Sequence, residues 1–424
     1  MKHCFRCLLL AFICLPEVLS AQTAYARKGF LDLHSYNFED GPVNLTGEYE
    51  FYMSELVNPQ EFTFNRKQAQ EYIDFPSTWN EFSKALRPGD GFATYHLKVI
   101  LPPSHHELSL ELPHFYSNYS LWINSVLIAS NGIVGSTAKT SHPQWLPQTV
   151  TFSPGKDTVD LVIQASNFHH AKGGVREPIL LGDNDGLTFK RQVAVVSNLT
   201  MFVSLMLIAL VFIFLYLFSK QERSLLYFSA LCITWGGRSM FSNRYLATSF
   251  FPDFPWEFCV KIEYISLYLM MIWAILFLAS IFSNDVNIAF KYLFCICNLI
   301  FIGLTAFFDA SLYTQFLPVY LSFVAGLLIY VIYVLVRAVV YERTGVWHMM
   351  TCLFLGVILF SYDVISYQGF ATFNPVIINL GYLVMFVLMS VCLLEQLGFM
   401  KRSTRQGNML TYEDLYGSPK ETKR

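Results

Sequence analysis

Two groups of residues in this 424-residue chain have types and spacing that bear on chemistry. The first comprises Trp79, Tyr95, Trp122, Asn167, His169, His170, Lys172 and Arg176. Aromatic rings stack on the apolar face of a pyranose, and planar polar groups hydrogen-bond its hydroxyls. These are side chains for binding a carbohydrate. Tyr95 and Trp122 stand in strand-like runs, where core packing competes with ligand contact. His169 and His170 are adjacent, so on a strand they point to opposite faces unless the chain turns there. Gly173-Gly174 marks a turn soon after. His105-His106 and His169-His170 lack the carboxylate or cysteine spacing of a metal centre. No metal or cofactor is expected. No paired-carboxylate glycosidase site is legible, and the chain is not expected to be an enzyme.

The second group is Arg238, Lys261, Glu263 and Asp363, which interrupt long apolar runs. Ionisable groups inside a membrane are costly and are usually paired or functional. Glu257 precedes Lys261 at i, i+4 spacing, which lets them pair. All of them fall near the same ends of their helices. The expectation is a charge network, Arg238 with Asp363 or Glu263, joining helix packing to the domain above. Snorkelling to the headgroups is the competing reading.

The first group must be positioned by strands. Ala93, Tyr95, Leu97, Val99 and Leu101 alternate with mostly polar neighbours. So do Leu108, Leu110 and Leu112, and so do Val159, Leu161, Ile163 and Ala165. Period two is the signature of a strand with one buried face. Val43–Tyr52, Asn118–Ala129 and Thr149–Ser153 are further strand-like runs, and turn signals separate them all. Short strands without helical crossovers predict an antiparallel jelly-roll sandwich over 27–186.

Five strings in this half carry a resemblance: Pro76-Ser-Thr-Trp79, Gly91-Phe-Ala-Thr-Tyr95, Leu121-Trp-Ile-Asn124, Asn131-Gly-Ile-Val-Gly135, and Gln164 through Gly174. The last, with its Ser-Asn-Phe-His-His and Gly-Gly, is the most specific. The chain resembles bacterial seven-transmembrane receptors with diverse intracellular signalling modules, in the second of their two ectodomain types. That type is similar to the galactose-binding-like jelly roll of β-galactosidases and related glycosidases. The resemblance implies a sensory binding module. Ser125 departs from it, because members often carry Gly in that turn.

The second group must be positioned by membrane helices. The chain is 54% hydrophobic and 14% charged, against about 45–50% and about 25% in average soluble proteins. A disordered chain and a soluble enzyme with an ordinary charged surface are excluded. A net charge of -2 gives no basic surface for nucleic acid. Seven apolar runs follow Val193, at about 194–219, 224–243, 256–282, 287–308, 314–338, 346–367 and 375–399. Each approaches the roughly 20 residues that span a bilayer. The second and sixth are weakest, because they hold Arg238 and Asp363. An all-α seven-helix bundle over 187–400 is expected. It has no Lys in its last run for a retinal, and no repeat of the transporter kind.

Lys2 and Arg6 precede a short apolar run, Cys7 to Leu15, as in a secretory signal peptide. Cleavage before Ala21 or before Arg27 fits, and 1–26 is assigned to the leader. None of the nine cysteines lies between residues 15 and 231, so the exported domain has no disulfide. Export of the first half puts Lys220, Arg223, Lys291, Arg337 and Arg343 in the cytoplasm, as the positive-inside rule requires. Lys190 and Arg191 count against it. The tail, 401–424, is too short for a kinase or cyclase domain. The expectation is therefore a bacterial inner-membrane receptor with a periplasmic sandwich. It binds a small ligand, a carbohydrate or derivative, and signals to a separate cytoplasmic protein. A homodimer through the membrane half is compatible with this. The alternatives are an uptake component and an anchored hydrolase.

Overall fold

The computed structural model describes residues 24–398, except 65–66, 81, 83–86, 104–106, 219–221, 243–244, 368–373 and the side chains of 363 and 364. The expected leader up to residue 23, the tail, and the His105-His106 pair lie outside the described residues.

The first half is a β-sandwich. Its strands are β1 (Tyr25–Ala26), β2 (Phe30–Asp32), β3 (Val43–Met53), β4 (Glu71–Phe75), β5 (Gly91–Ile100), β6 (Leu108–Leu112), β7 (Asn118–Ile123), β8 (Val126–Asn131), β9 (Gln148–Phe152), β10 (Thr158–Asn167) and β11 (Ile179–Asp183). The order is β8-β7-β10-β5-β3-β11-β6-β9, with β1 and β4 on β3 and β2 on β5. The pairs are antiparallel except β1 with β3 and β2 with β5.

Strand β3 belongs to both layers. Its start, Val43–Leu45, pairs with β11, and its end, Glu50–Met53, pairs with β5. Gly47 sits at the crossing with φ +124, and a Cβ there would lie 2.4 Å from the Ala26 backbone. Only glycine takes that conformation at that closeness. Between the layers pack Tyr49, Phe51, Phe75, Leu97, Leu110, Leu121, Leu161 and Ile163. Alternation puts Leu161, Ile163 and Ala165 of β10 inward, while Val162 faces Tyr52, Val57 and Phe62 on the outer side.

Ala26 is fully buried and Tyr25–Ala26 pairs with Thr46–Gly47.

The second half has seven long helices among the described residues: α1 (Asn184–Phe218), α2 (Arg223–Phe241), α3 (Trp256–Ile281), α4 (Ile288–Phe307), α5 (Leu317–Val340), α6 (Val346–Tyr367) and α7 (Pro375–Gln396). Five segments, α1, α3, α4, α7 and 310–340 around α5, are long and apolar enough to cross a membrane. Helix α2 falls outside that set, and the described stretch 346–362 of α6 is apolar but shorter than a span. Helix α1 begins ten residues before its apolar run. Its 35 residues extend about 52 Å at roughly 1.5 Å each, beyond the roughly 30 Å of a bilayer core. The extra turns dock on the sandwich. Leu187 is buried there, and Asn184 Oδ1 accepts from the hydroxyls of Ser109 (3.0 Å) and Thr151 (3.1 Å).

Buried amides clasp the bundle. Asn379 Nδ2 of α7 donates to Asn198 Oδ1 (2.5 Å) and Ser197 Oγ (3.0 Å) of α1. The Tyr320 hydroxyl of α5 donates to Asn298 Oδ1 of α4 at 3.0 Å. In an apolar surrounding each amide needs such a partner.

Candidate functional site

Strand β10 ends at Asn167, and the chain turns there. Asn167 Nδ2 lies within hydrogen-bond distance of the carbonyls of Gly89 (2.8 Å), His170 (2.7 Å) and Lys172 (3.0 Å). Its Oδ1 accepts from the backbone N–H groups of His169 (3.3 Å) and His170 (3.0 Å). One buried amide thus folds the loop 167–174. Trp79 forms its floor. The indole Nε1 donates to Gly89 O at 3.2 Å, and the Trp79 N–H donates to Gly173 O at 3.1 Å. A Cβ on Gly173 would lie 2.2 Å from that indole nitrogen. Tyr95 packs beside Trp79, ring centroids 6.4 Å apart.

The expected ligand residues differ in exposure. Trp79 and Tyr95 are 0% exposed and have no ring face to offer a sugar. Asn167 and His170 are buried and shape the loop. The His170 ring stacks on Tyr116 at 4.8 Å, and its Nδ1 accepts from Lys172 N–H at 3.0 Å. Burial pushes its pKa down to about 3, so it is neutral. Trp122, His169, Lys172 and Arg176 keep exposed surface. Trp122 stands apart from the others, on the outer face of β7 against the Tyr52 and Phe62 cluster.

The loop rests on the helical half. Ala171 N–H donates to Thr314 Oγ1 at 3.0 Å, across 143 residues of sequence. His169 lies 6.2 Å from the Trp256 ring that opens α3. Trp145, between β8 and β9, packs on Tyr245 (4.5 Å) and Trp256 (5.5 Å), and His114 on Tyr245 (4.9 Å). Gln144 Nε2 donates to Pro252 O at 3.2 Å. The seam continues into one buried cluster holding Cys259, Tyr264, Tyr268, Tyr313 and Tyr320.

The charges of the second group lie directly beneath. Arg238 of α2 donates to the Glu263 carbonyl and to Ser266 Oγ (3.4 Å), with the Glu263 carboxylate at 3.8 Å. The Tyr245 hydroxyl donates to that carboxylate at 3.4 Å. Of the two partners expected for Arg238, Glu263 is the one described; the Asp363 side chain lies outside the described residues. Lys261 forms a separate pair with Glu257 at 3.1 Å.

Sequence reading missed the bundle's contribution, because Tyr245, Trp256 and Thr314 carry no local sign of facing the sandwich. It also missed His96 on β5. Its Nδ1 meets Glu50 Oε2 at 2.7 Å, its Nε2 meets Asp160 Oδ1 at 3.1 Å, and Phe62 stacks on the ring at 4.1 Å. Burial works against charge on this ring, but the bonds to Asp160 and Glu50 outweigh it and raise its pKa. A polar residue at an outward position of an alternating strand was the available signal. An open cleft of about 410 Å³ flanks the seam between β9 and α1, lined by Thr149, Thr151, Asn184, Thr188, Arg191 and Gln192. It has no aromatic wall.

A β-sandwich docked on the ends of a helical bundle, five of whose segments are long and apolar enough to cross a membrane, describes a multi-pass membrane protein. Residues 198–396 match the model of the 7TM diverse intracellular signalling family. That is a sensory receptor family rather than an enzyme family. None of the curated proteins compared with the chain matches. Among solved structures, the β-glucuronidase of an uncultured Clostridium is 16% identical with a TM-score of 0.25, over 32% of this chain and 28% of that one. The Faecalibacterium prausnitzii β-glucuronidase is 15% identical with a TM-score of 0.25, over 33% and 31%. The Parabacteroides merdae enzyme is 13% identical with a TM-score of 0.26, over 33% and 21%. The chain spans less than a third of these enzymes, and likeness at this level carries nothing about activity.

Proposed function

We propose that the chain is a receptor of the bacterial inner membrane. Its extracytoplasmic sandwich binds a small ligand of the carbohydrate class, and the seven helices pass the change to a cytoplasmic signalling protein. One observation carries this reading. The loop built by Asn167 bears His169 and Lys172 and is hydrogen-bonded to Thr314 on the bundle. Ligand contact falls to the side chains of and beside this loop that keep exposed surface, His169, Lys172 and Arg176. A ligand that favours one position of this loop favours one arrangement of the helix ends, by its difference in affinity for the two. Orientation is supported by Arg223, Lys291, Arg337 and Arg343, at helix ends away from the sandwich.

The test is a thermal-shift screen of the full chain in detergent against neutral and acidic sugars. A ligand at 100 times its Kd adds about 2.7 kcal/mol to the folded state, so the melting temperature rises. The rise disappears in Arg176→Ala or Lys172→Ala. Melting that no sugar moves rejects the carbohydrate class.

A further inference from the structure

The seam between sandwich and helices is lined by histidines from the sandwich side. His114 meets Tyr245, Trp145 and Tyr116, and no carboxylate contacts its ring among the described residues. His169 meets Trp256, and its Nδ1 is buried with no hydrogen-bond partner among the described residues. His170 lies one layer behind, on Tyr116. Each ring is packed against aromatic carbon, where a neutral imidazole fits and an imidazolium is costly.

We propose that protons are a second input to this receptor: acid outside the membrane protonates His114 and His169 and opens the seam. This rests on the receptor reading above.

The direction follows from linkage. Desolvation lowers the pKa of His114 to about 4, although the residue as a whole is half-buried. Desolvation also lowers that of His169. Undocking removes the burial that Tyr245 and Trp256 supply, so each pKa climbs toward the ordinary value of about 6.5, which sets the upper bound. The undocked state therefore binds more protons, and docking weakens as pH falls from about 6.5 toward about 4. At pH 5 that favours undocking by up to about 30-fold through His114 alone. The charged groups around His169 come from three other elements. Asp90 and Arg87, paired at 2.9 Å, precede β5; His142 lies in the β8–β9 loop; Glu257 opens α3. Asp90 and Glu257 favour the charged ring, Arg87 and His142 oppose it, and burial outweighs them all. Around His114 stand His170, with Lys172 beside it, and, past Tyr245, Glu177 and the Arg238–Glu263 pair.

The sandwich itself answers acid in the opposite sense. His96 lies between Glu50 and Asp160, with Lys98 3.9 Å from Asp160. Its raised pKa makes its stabilisation complete below the unfolded value and lost as pH climbs through the folded one. Acid thus loosens the seam and spares the sensor.

Hydrogen exchange on the full chain, in nanodiscs of phosphatidylethanolamine and phosphatidylglycerol, tests this without any ligand. Rates are normalised to the intrinsic rate at each pH. Between pH 7.5 and 5.0, peptides covering 142–147 and 168–173 are expected to lose at least tenfold of their protection, while β5 and β10 keep theirs. His114→Gln with His169→Gln removes the pH effect, and replacement of the exposed His34 by Gln leaves it. Equal seam protection at both pH values in the wild type overturns the proposal. So does a loss that persists in the double variant. Either result leaves the sugar screen untouched, and failure of that screen leaves this result standing.

Discussion

Asn167 shows how much one side chain decides here. Its amide meets three carbonyls and two N–H groups, so removing it leaves several buried backbone groups unsatisfied. Each such group costs about 1–3 kcal/mol. Asn167→Ala should lower sandwich stability by at least about 2 kcal/mol, read by the melting of its β signal in circular dichroism. Gly173→Ala should cost about 1–3 kcal/mol by overpacking, because its new methyl would meet the buried Trp79 indole. A wild-type melting curve for either variant contradicts the loop as drawn. His96 gives a prediction of opposite pH sense to that of the seam. Melting of the sandwich should fall as pH rises above about 6.5, and His96→Gln should flatten that slope. A slope unchanged in the variant would assign it to another group.

At the scale of elements, the hairpin β7–β8 turns through Asn124 and Ser125, both with positive φ (49° and 69°). Such a two-residue turn favours glycine at its second position. Ser125→Gly should stabilise by about 0.5–1 kcal/mol, less the Thr63 hydroxyl contact at 2.9 Å; a loss of stability refutes the strain argument. Strands β5, β6 and β10 were legible because alternation survives wherever one face is buried. Strands β1 and β2 were not, since two or three residues carry no period and their parallel partners lie far along the chain. Neither was β4, nor β11, whose Ile179-Leu-Leu181 is uniformly apolar. The seven helices fell within a few residues of their apolar runs, except the start of α1. There Asn184 to Gln192 are too polar to read as membrane, because that stretch faces the sandwich.

At the scale of the molecule, the string around residues 164–174 was legible as the most specific feature, but its role was not. Residue types alone suggested a sugar site. Trp79, Tyr95, Asn167 and His170 are buried around the loop, and the loop docks on a partner more than a hundred positions away. The same contact unites the two groups of chemistry-bearing residues. The loop touches Thr314 and Trp256, and the seam residue Tyr245 touches Glu263, which holds Arg238. The central claim is that this seam couples the sandwich to the helices. Its most direct test is hydrogen exchange on full-length Trp145→Ala in nanodiscs. Trp145 touches the bundle only through Tyr245 and Trp256 among its described ring contacts. Coupling predicts faster exchange in the loop 167–174, in the first turns of α3 and in residues 310–320 together. Faster exchange confined to the neighbourhood of residue 145, with α3 and 310–320 unchanged, would contradict it.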